Sequence, residues 1–433
     1  MLFNSFIPLK TLRHKLQYAA SWQLIVFMSL TAFSVYSCMY GFRKPYTALN
    51  FSAQSINGFS YKSSLVIAQS IGYLVSKWIG IRVVSTITIQ KRAATILLLL
   101  VTAWLALLLF AITPSPYNIF FMFVNGLPLG MVWGLVFAYL EGRTFTDIMG
   151  AVLATSFIFA SGFAKTVARL IESHFFIPTV WMPFAAGAFF IIPAFIAVLL
   201  LNQSPLPDST DEVLKTLRKP MSKTDRKSFI QQYIKILIPL CIAYTLLTVI
   251  RDFCEDFSND LWIETGYNNT AIFTQTATLI SIFVLIVIGG FYIIKNNYAA
   301  FQLNQRIIAV GFTACVMATA LYQLHYVTTY YWFIIATTGM YVSYVSYNCI
   351  LFERMMAAYK VQGTVGFAMY VADAFGYMGT VIILIVKEAF RLKLSWQTFF
   401  EQLFYIGGTA GLLLILVASF QSKFIYQSQN NEQ

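Results

Sequence analysis

An arginine set deep in an apolar stretch is the residue of this chain best placed to do chemistry. Arg251 lies well inside a hydrophobic run that begins at Ile236. Arg43 and Lys44 close another such run, Lys77 lies in a third, and Lys165 with Arg169 in a fourth. A charged side chain at the centre of a bilayer costs about 2.5–3.5 kcal/mol on insertion scales, so each of these groups needs a reason to be there. A guanidinium grips phosphate or carboxylate oxygens through two parallel hydrogen bonds, and two arginines facing one cavity make an anion clamp. Arg43 and Arg251 are the expected clamp, Lys77 and Lys165 add to its field, and Tyr36, Tyr40 and Tyr244 are candidate wall residues. The nearby acids are Asp252, Glu255, Asp256 and Asp373. A carboxylate released from its cation in a low-dielectric site takes up a proton, which makes Asp256 and Asp373 the expected coupling residues.

Plainer readings stand beside this one. Arg251 and Glu255 are one helical turn apart and would neutralise each other. Arg43 ends its apolar run and would snorkel to an interface, and Lys77 would belong to a basic collar. Other chemistry finds little support. There is no Walker loop, zinc-protease motif or nucleotide fingerprint, so neither an enzyme nor a catalytic residue is expected. Three His and five unpaired-looking Cys (Cys38, Cys241, Cys254, Cys315, Cys349) offer no metal or redox site, and no cofactor is expected.

The elements that carry these residues are membrane helices. With 58% hydrophobic and 11% charged residues among 433 and a mean hydropathy of +0.70, the chain cannot cover a soluble globule. Runs of about 20 apolar residues recur, too long for barrel strands. They predict twelve spans: 22–42, 63–79, 93–112, 118–140, 149–170 and 177–201, then 236–253, 271–294, 307–321, 331–352, 365–387 and 404–420. A charged stretch, 203–235, separates two six-helix halves, 1–202 and 236–433. The net charge of +12 falls mostly on alternate loops. It therefore reads as a topology signal, placing both termini and the central loop in the cytoplasm, with no nucleic-acid partner expected. A bacterial inner membrane and a monomer are the expected setting. Gly126, Gly130 and Gly134 recur at four-residue spacing, a stripe suited to close helix packing or to lining a path. The fourth span ends in Glu141-Gly142-Arg143 and the tenth in Glu353-Arg354, matched landmarks that point to internal duplication and serve as candidate gating residues.

At these residues the chain resembles the major facilitator superfamily, and within it the organophosphate:phosphate antiporters. Tyr40-Gly41-Phe42-Arg43-Lys44 is similar to the ending of their first helix, whose arginine binds substrate phosphate. Leu247 to Arg251, followed by Asp256-Phe257-Ser258, resembles their seventh helix with its second phosphate-binding arginine and aspartate. Gly72 to Lys77 resembles their second helix, whose lysine faces the cavity. Asn125-Gly126, Gly130-Met131 and Trp133 echo the fourth helix, and Phe375 to Gly379 the eleventh. The run Phe42 to Ala48 is also similar to an uncharacterised group of bacterial proteins related to the superfamily. The departures bear on coupling. The family's fifth-helix histidine falls near Ala160 or Ser161, its eighth-helix glutamate is Gln275, its Asp-Arg after the second helix is replaced near Ser85-Thr86, and it has no counterpart of Asp373.

The expectation is an all-α membrane protein of twelve helices in two pseudo-symmetric six-helix bundles, working by alternating access. Its substrate would be a small anion, an organic phosphate or phosphate, moved with protons or exchanged for phosphate. A proton-coupled carrier of a neutral or cationic solute, and a transporter-like receptor, are the competing readings.

Overall fold

The computed structural model describes residues 7–49, 51, 55–56, 58–141, 143, 145–206, 223–361, 365–390 and 394–431. A short helix, α1 (Ile7–Gln17), precedes six long ones: α2 (Ser21–Arg43), α3 (Tyr61–Thr86), α4 (Ile89–Ile112), α5 (Ile119–Leu140), α6 (Thr146–Phe175) and α7 (Met182–Leu201). Six more follow: α8 (Lys223–Glu264), α9 (Ile272–Gly289), α10 (Asn297–Gln323), α11 (Thr329–Ser346), α13 (Val365–Ala389) and α14 (Trp396–Asn431). A π-helical turn, Tyr347–Leu351, joins α11 to the short α12 (Phe352–Ala358). Among the described residues nine helices are individually long and apolar enough to cross a membrane; α3, α11 and α13 complete the twelve. Helices are the form this composition must take, because lipid offers backbone groups no partners. The protein is an integral, multi-pass membrane protein.

The chain falls into two units, Met1–Phe51 with Ser64–Thr216, and Ser52–Ser63 with Leu217–Gln433. In the first, α2 packs on α5, α6 and α7, and α4 packs on α5 and α7. In the second, α8 packs on α11, α13 and α14, and α10 packs on α11 and α14. Numbered within each unit, these are the same pairings: first helix with fourth, fifth and sixth, third with fourth and sixth. The duplication read from Glu141-Arg143 and Glu353-Arg354 is matched by these five pairings.

Small residues let the backbones meet. A Cβ on Gly126 would stand 2.3 Å from the Gln69 carbonyl oxygen, so α5 lies directly against α3, and Gly130 faces Ser76 in the same way. For these two glycines the stripe is a packing face. In the second unit Gly376 of α13 faces Thr248 of α8 at 2.7 Å.

Several helices outrun the hydropathy pattern. The seventh span, expected over 236–253, is part of a 42-residue helix. Of the expected central loop 203–235, residues 207–222 lie outside the described residues, while Lys223 onward is already helical. The reason is an amphipathic face, with Phe229, Tyr233 and Ile236 buried at helical spacing. At the other end Phe257, Leu261 and Trp262 are buried, so Asp256 lies within the helix, beyond the end expected at 253. The ninth helix begins at Asn297, ten residues before the expected start, capped by the Asn296 side chain accepting from the Ala299 amide at 2.9 Å. Between α2 and α3 lie a 3₁₀ turn, Pro45–Ala48, and a two-stranded hairpin, β1 (Ser55–Ile56) with β2 (Phe59–Ser60), which an all-helical reading does not foresee.

Candidate functional site

In the first unit the polar centre is built at the end of α2. The last carbonyls of a helix lack partners within it, and here buried amides from neighbouring helices supply them. Gln69 of α3 donates through Nε2 to the Arg43 carbonyl at 3.1 Å and to Asn125 Oδ1 at 2.8 Å. Asn125 of α5 donates through Nδ2 to the carbonyls of Phe42 at 3.2 Å and Ala103 at 2.9 Å. Tyr46 closes the set by donating to Gln69 Oε1 at 3.1 Å. This anchors the end of α2 inside the bundle, and the Arg43 side chain is only 5% exposed. The side chain is thus enclosed by protein groups instead of extending outward from the end of its helix.

Arg43 and Lys77 converge on one ring. The guanidinium carbon lies 4.2 Å from the Tyr73 centroid and the Lys77 ammonium 5.5 Å from the same centroid; Lys77 also lies 5.9 Å from the Trp133 ring. The π-face partly offsets the cost of holding cations there, by about 0.5–2 kcal/mol each. Tyr40 lies 5.6 Å from the Arg43 guanidinium and stands edge-on to Tyr36 at 5.7 Å, so four of the expected residues are gathered through Tyr73. Lys165 is 3% exposed on α6, which packs along α2, and Lys44 is 1% exposed. Across residues 1–206 the acids are Glu141, Asp147 and Glu172, so this half is strongly basic.

The second unit has a different character. Arg251 donates from Nη2 at 2.5 Å and from Nε at 3.1 Å to a single oxygen, Oδ1 of Asp252. Its Nη1 donates to the Tyr344 hydroxyl, and Nη2 also to the Tyr377 hydroxyl at 3.3 Å. Its guanidinium lies 4.4 Å from the Tyr344 centroid. Glu255, expected as its helical partner, stands further off at 3.9 Å from Nε and accepts from Tyr341 at 3.3 Å. The dominant carboxylate on Arg251 is thus Asp252. Thr380 donates to Asp252 Oδ2 at 2.7 Å. From Tyr344 the chain continues through the Tyr244 hydroxyl at 3.2 Å to Asp373 Oδ1 at 2.5 Å, with Asn348 of the π turn donating to Tyr244 at 3.2 Å. Arg251, Tyr244 and Asp373 are therefore brought together, while Asp256 is buried one turn beyond Asp252 on α8.

Of the residues expected to gate, two arginines each bond near a helix end. Arg143 donates to the Pro205 carbonyl, Arg354 to Asn297 Oδ1 at 2.8 Å, and Glu141 is exposed. Sequence reasoning missed Gln69, Asn125, Tyr344, Thr380 and Asn348 as site residues. The available signal was amides and repeated tyrosines (Tyr341, Tyr344, Tyr347) inside otherwise apolar runs.

Twelve helices in two units of matching packing are the arrangement of the major facilitator fold. Solved structures agree. A D-xylose–proton symporter matches at TM-score 0.59 and 13% identity, covering 92% of this chain and 97% of the other. The inward-open xylose transporter XylE from E. coli matches at 0.56 and 12%, covering 91% and 94%. A bacterial homologue of the human drug peptide transporters PepT1 and PepT2 matches at 0.62 and 13%, covering 95% and 100%. Over residues 45–424 the chain belongs to a family described as a family of unknown function, DUF5690. No curated protein matches the sequence. These comparisons support the superfamily fold and do not support the organophosphate antiporter family within it.

Proposed function

We propose that this protein is a secondary active transporter of a small anionic solute, an organic phosphate or phosphate, working by alternating access as a monomer. The observation that carries the reading is the convergence of the buried Arg43 and the half-buried Lys77 on Tyr73, in a half where Lys44 and Lys165 are buried too. A guanidinium beside an ammonium suits a tetrahedral oxyanion. The structural neighbours described as a proton symporter and a peptide transporter homologue support transport in general and leave the solute open. On the positive-inside rule both termini face the cytoplasm, in the inner membrane of a bacterium.

A second reading, a proton-coupled carrier of a neutral solute, is favoured by one observation: Arg251 is already neutralised by Asp252. Counterflow in proteoliposomes separates the two. Uptake of a phosphate monoester that inorganic phosphate competes away is the expected result, and uptake indifferent to phosphate would overturn the anion reading. Binding without any counterflow would point to a receptor.

A further inference from the structure

We propose that α1 is an interfacial helix that holds anionic phospholipid headgroups of the adjoining leaflet through Arg13 and Lys15. This surface is independent of the solute the protein carries.

The sequence of α1, Ile7–Gln17, sets Lys10, Arg13, His14 and Lys15 among leucines and contains no acid. An α-helix turns about 100° per residue, so positions 9, 12 and 16, all leucine, fall within a sector about 60° wide. Arg13 and Lys15 fall about 40° and about 60° outside that sector, one on each side. Burial follows the same division. Leu16 is buried and Leu12 half-buried, Arg13 is half-buried at the border, and His14, Lys15 and Gln17 are exposed. Leu16, seated in protein, therefore sets the roll of the helix. An apolar sector bordered by cations is the form of a helix lying in the plane of a bilayer surface, with its stems over hydrocarbon and its charged heads level with the phosphates.

The connection to α2 fixes the depth. Only Tyr18-Ala19-Ala20 separates α1 from Ser21, the first residue of a membrane span, and three residues reach at most about 11 Å. Ala20 is extended, with ψ 146°, and its amide donates to Gln23 Oε1 at 3.1 Å. The helix is broken there, so α1 does not continue α2. Tyr18 and Trp22 are both exposed at this junction, and the His14 ring lies 5.1 Å from that of Tyr18. Tyrosine and tryptophan collect at the headgroup level, where a ring meets hydrocarbon and its polar tip meets water. The cations of α1 are thus held within about a Debye length, 8–10 Å, of the lipid phosphates.

Charge names the class of lipid. The first acid of the chain is Glu141, so residues 1–140 offer Arg13 and Lys15 no carboxylate. A guanidinium takes a phosphodiester in its fork and an ammonium takes it as a point charge. A zwitterionic headgroup brings its own cation, whereas an acidic one leaves its charge to the protein. Orienting the chain during insertion would need the charges alone, and the leucine sector between Arg13 and Lys15 is the feature that goes beyond that task.

Hydrogen–deuterium exchange of the full-length protein tests this, in nanodiscs of phosphatidylcholine alone or mixed with phosphatidylglycerol. In the mixed discs the amides of 7–17 are expected to exchange at least about fivefold more slowly, the factor one cation near an acidic surface supplies. That gain should vanish in the double variant Arg13→Gln with Lys15→Gln and in high salt, and it should survive in Arg13→Lys with Lys15→Arg. An unaltered unfolding midpoint in detergent shows that the glutamine variant is folded. Equal exchange of 7–17 in the two kinds of disc would overturn the proposal and leave the basic start of the chain as an insertion signal. A gain that persists in the glutamine variant would overturn it as well, by placing the acidic lipid elsewhere. Failure of the protein to bind phosphate would leave this proposal standing, so the two readings fail separately.

Discussion

The hydroxyl of Tyr244 donates to Asp373 at 2.5 Å, tying α8 to α13, and the same oxygen is 3.2 Å from the Tyr344 hydroxyl that receives Arg251 Nη1. An acid near the end of such a chain feels the state of the arginine without touching it. In the reconstituted protein, Asp373→Asn is expected to retain phosphate exchange without a gradient and to lose part of the transport driven by a pH gradient, and Tyr244→Phe should show the same split more weakly. Equal loss of both activities would make Asp373 a structural residue.

The N-terminal arginine should depend on its planar fork. Arg43→Lys keeps the charge but not the paired hydrogen bonds, so phosphate binding is expected to weaken at least about tenfold, or about 1.4 kcal/mol. Arg251→Lys should behave alike. Binding isotherms decide it, and wild-type affinity in Arg43→Lys would reduce that residue to a source of field.

Asn125→Leu tests the amide anchor. It removes the donors to Phe42 and Ala103 and the acceptor for Gln69, and orphaned buried groups cost about 1–3 kcal/mol each. A clear fall in the unfolding midpoint in detergent is expected, together with weaker phosphate binding as the end of α2 loosens. Unaltered stability would mean that water replaces the amide.

Lys62 pairs with Asp260 at 2.5 Å, and Asp260 keeps 19% exposure. Removing either partner should cost about 1–2 kcal/mol after allowance for solvent. The double variant Lys62→Met with Asp260→Leu should recover most of that in a thermodynamic cycle. Additive losses would show that the pair has no coupling.

The fold was readable because lipid makes length and apolarity sufficient: the spans expected over 22–42 and 365–387 are the helices Ser21–Arg43 and Val365–Ala389, with every end within two residues of expectation. The misjudged elements share a cause. Asn304, Gln305 and Asp256 lower the local hydropathy, yet each is buried in a helix, so average polarity marked loops where side-chain pairing permits a helix. At the site, Arg43, Lys77, Arg251, Tyr244 and Asp373 could be picked out because a charge or hydroxyl in a span is costly. Their partners could not, since which acid meets Arg251 depends on side-chain direction: sequence spacing favours Glu255, while the guanidinium folds back on its neighbour Asp252. Residues Ser52–Ser63 likewise group with the second unit through Ser60 and Ser63 donating to Glu388 at 2.9 and 2.7 Å, a long-range relationship that no local pattern records.

The π turn at Tyr347–Leu351 sets the rotational phase of one long element. Widening that turn delays the backbone by about one residue, or about 100° of helix rotation. On one side of it Tyr344 faces Arg251, and on the other Arg354 faces Asn297. A strictly α-helical stretch could not aim both of these side chains as they are aimed here. Deleting one residue from the turn would restore the regular helix and swing Arg354 off Asn297 while leaving Tyr344 in place, so the polar centre and the far end of this element are kept in phase by a single inserted residue.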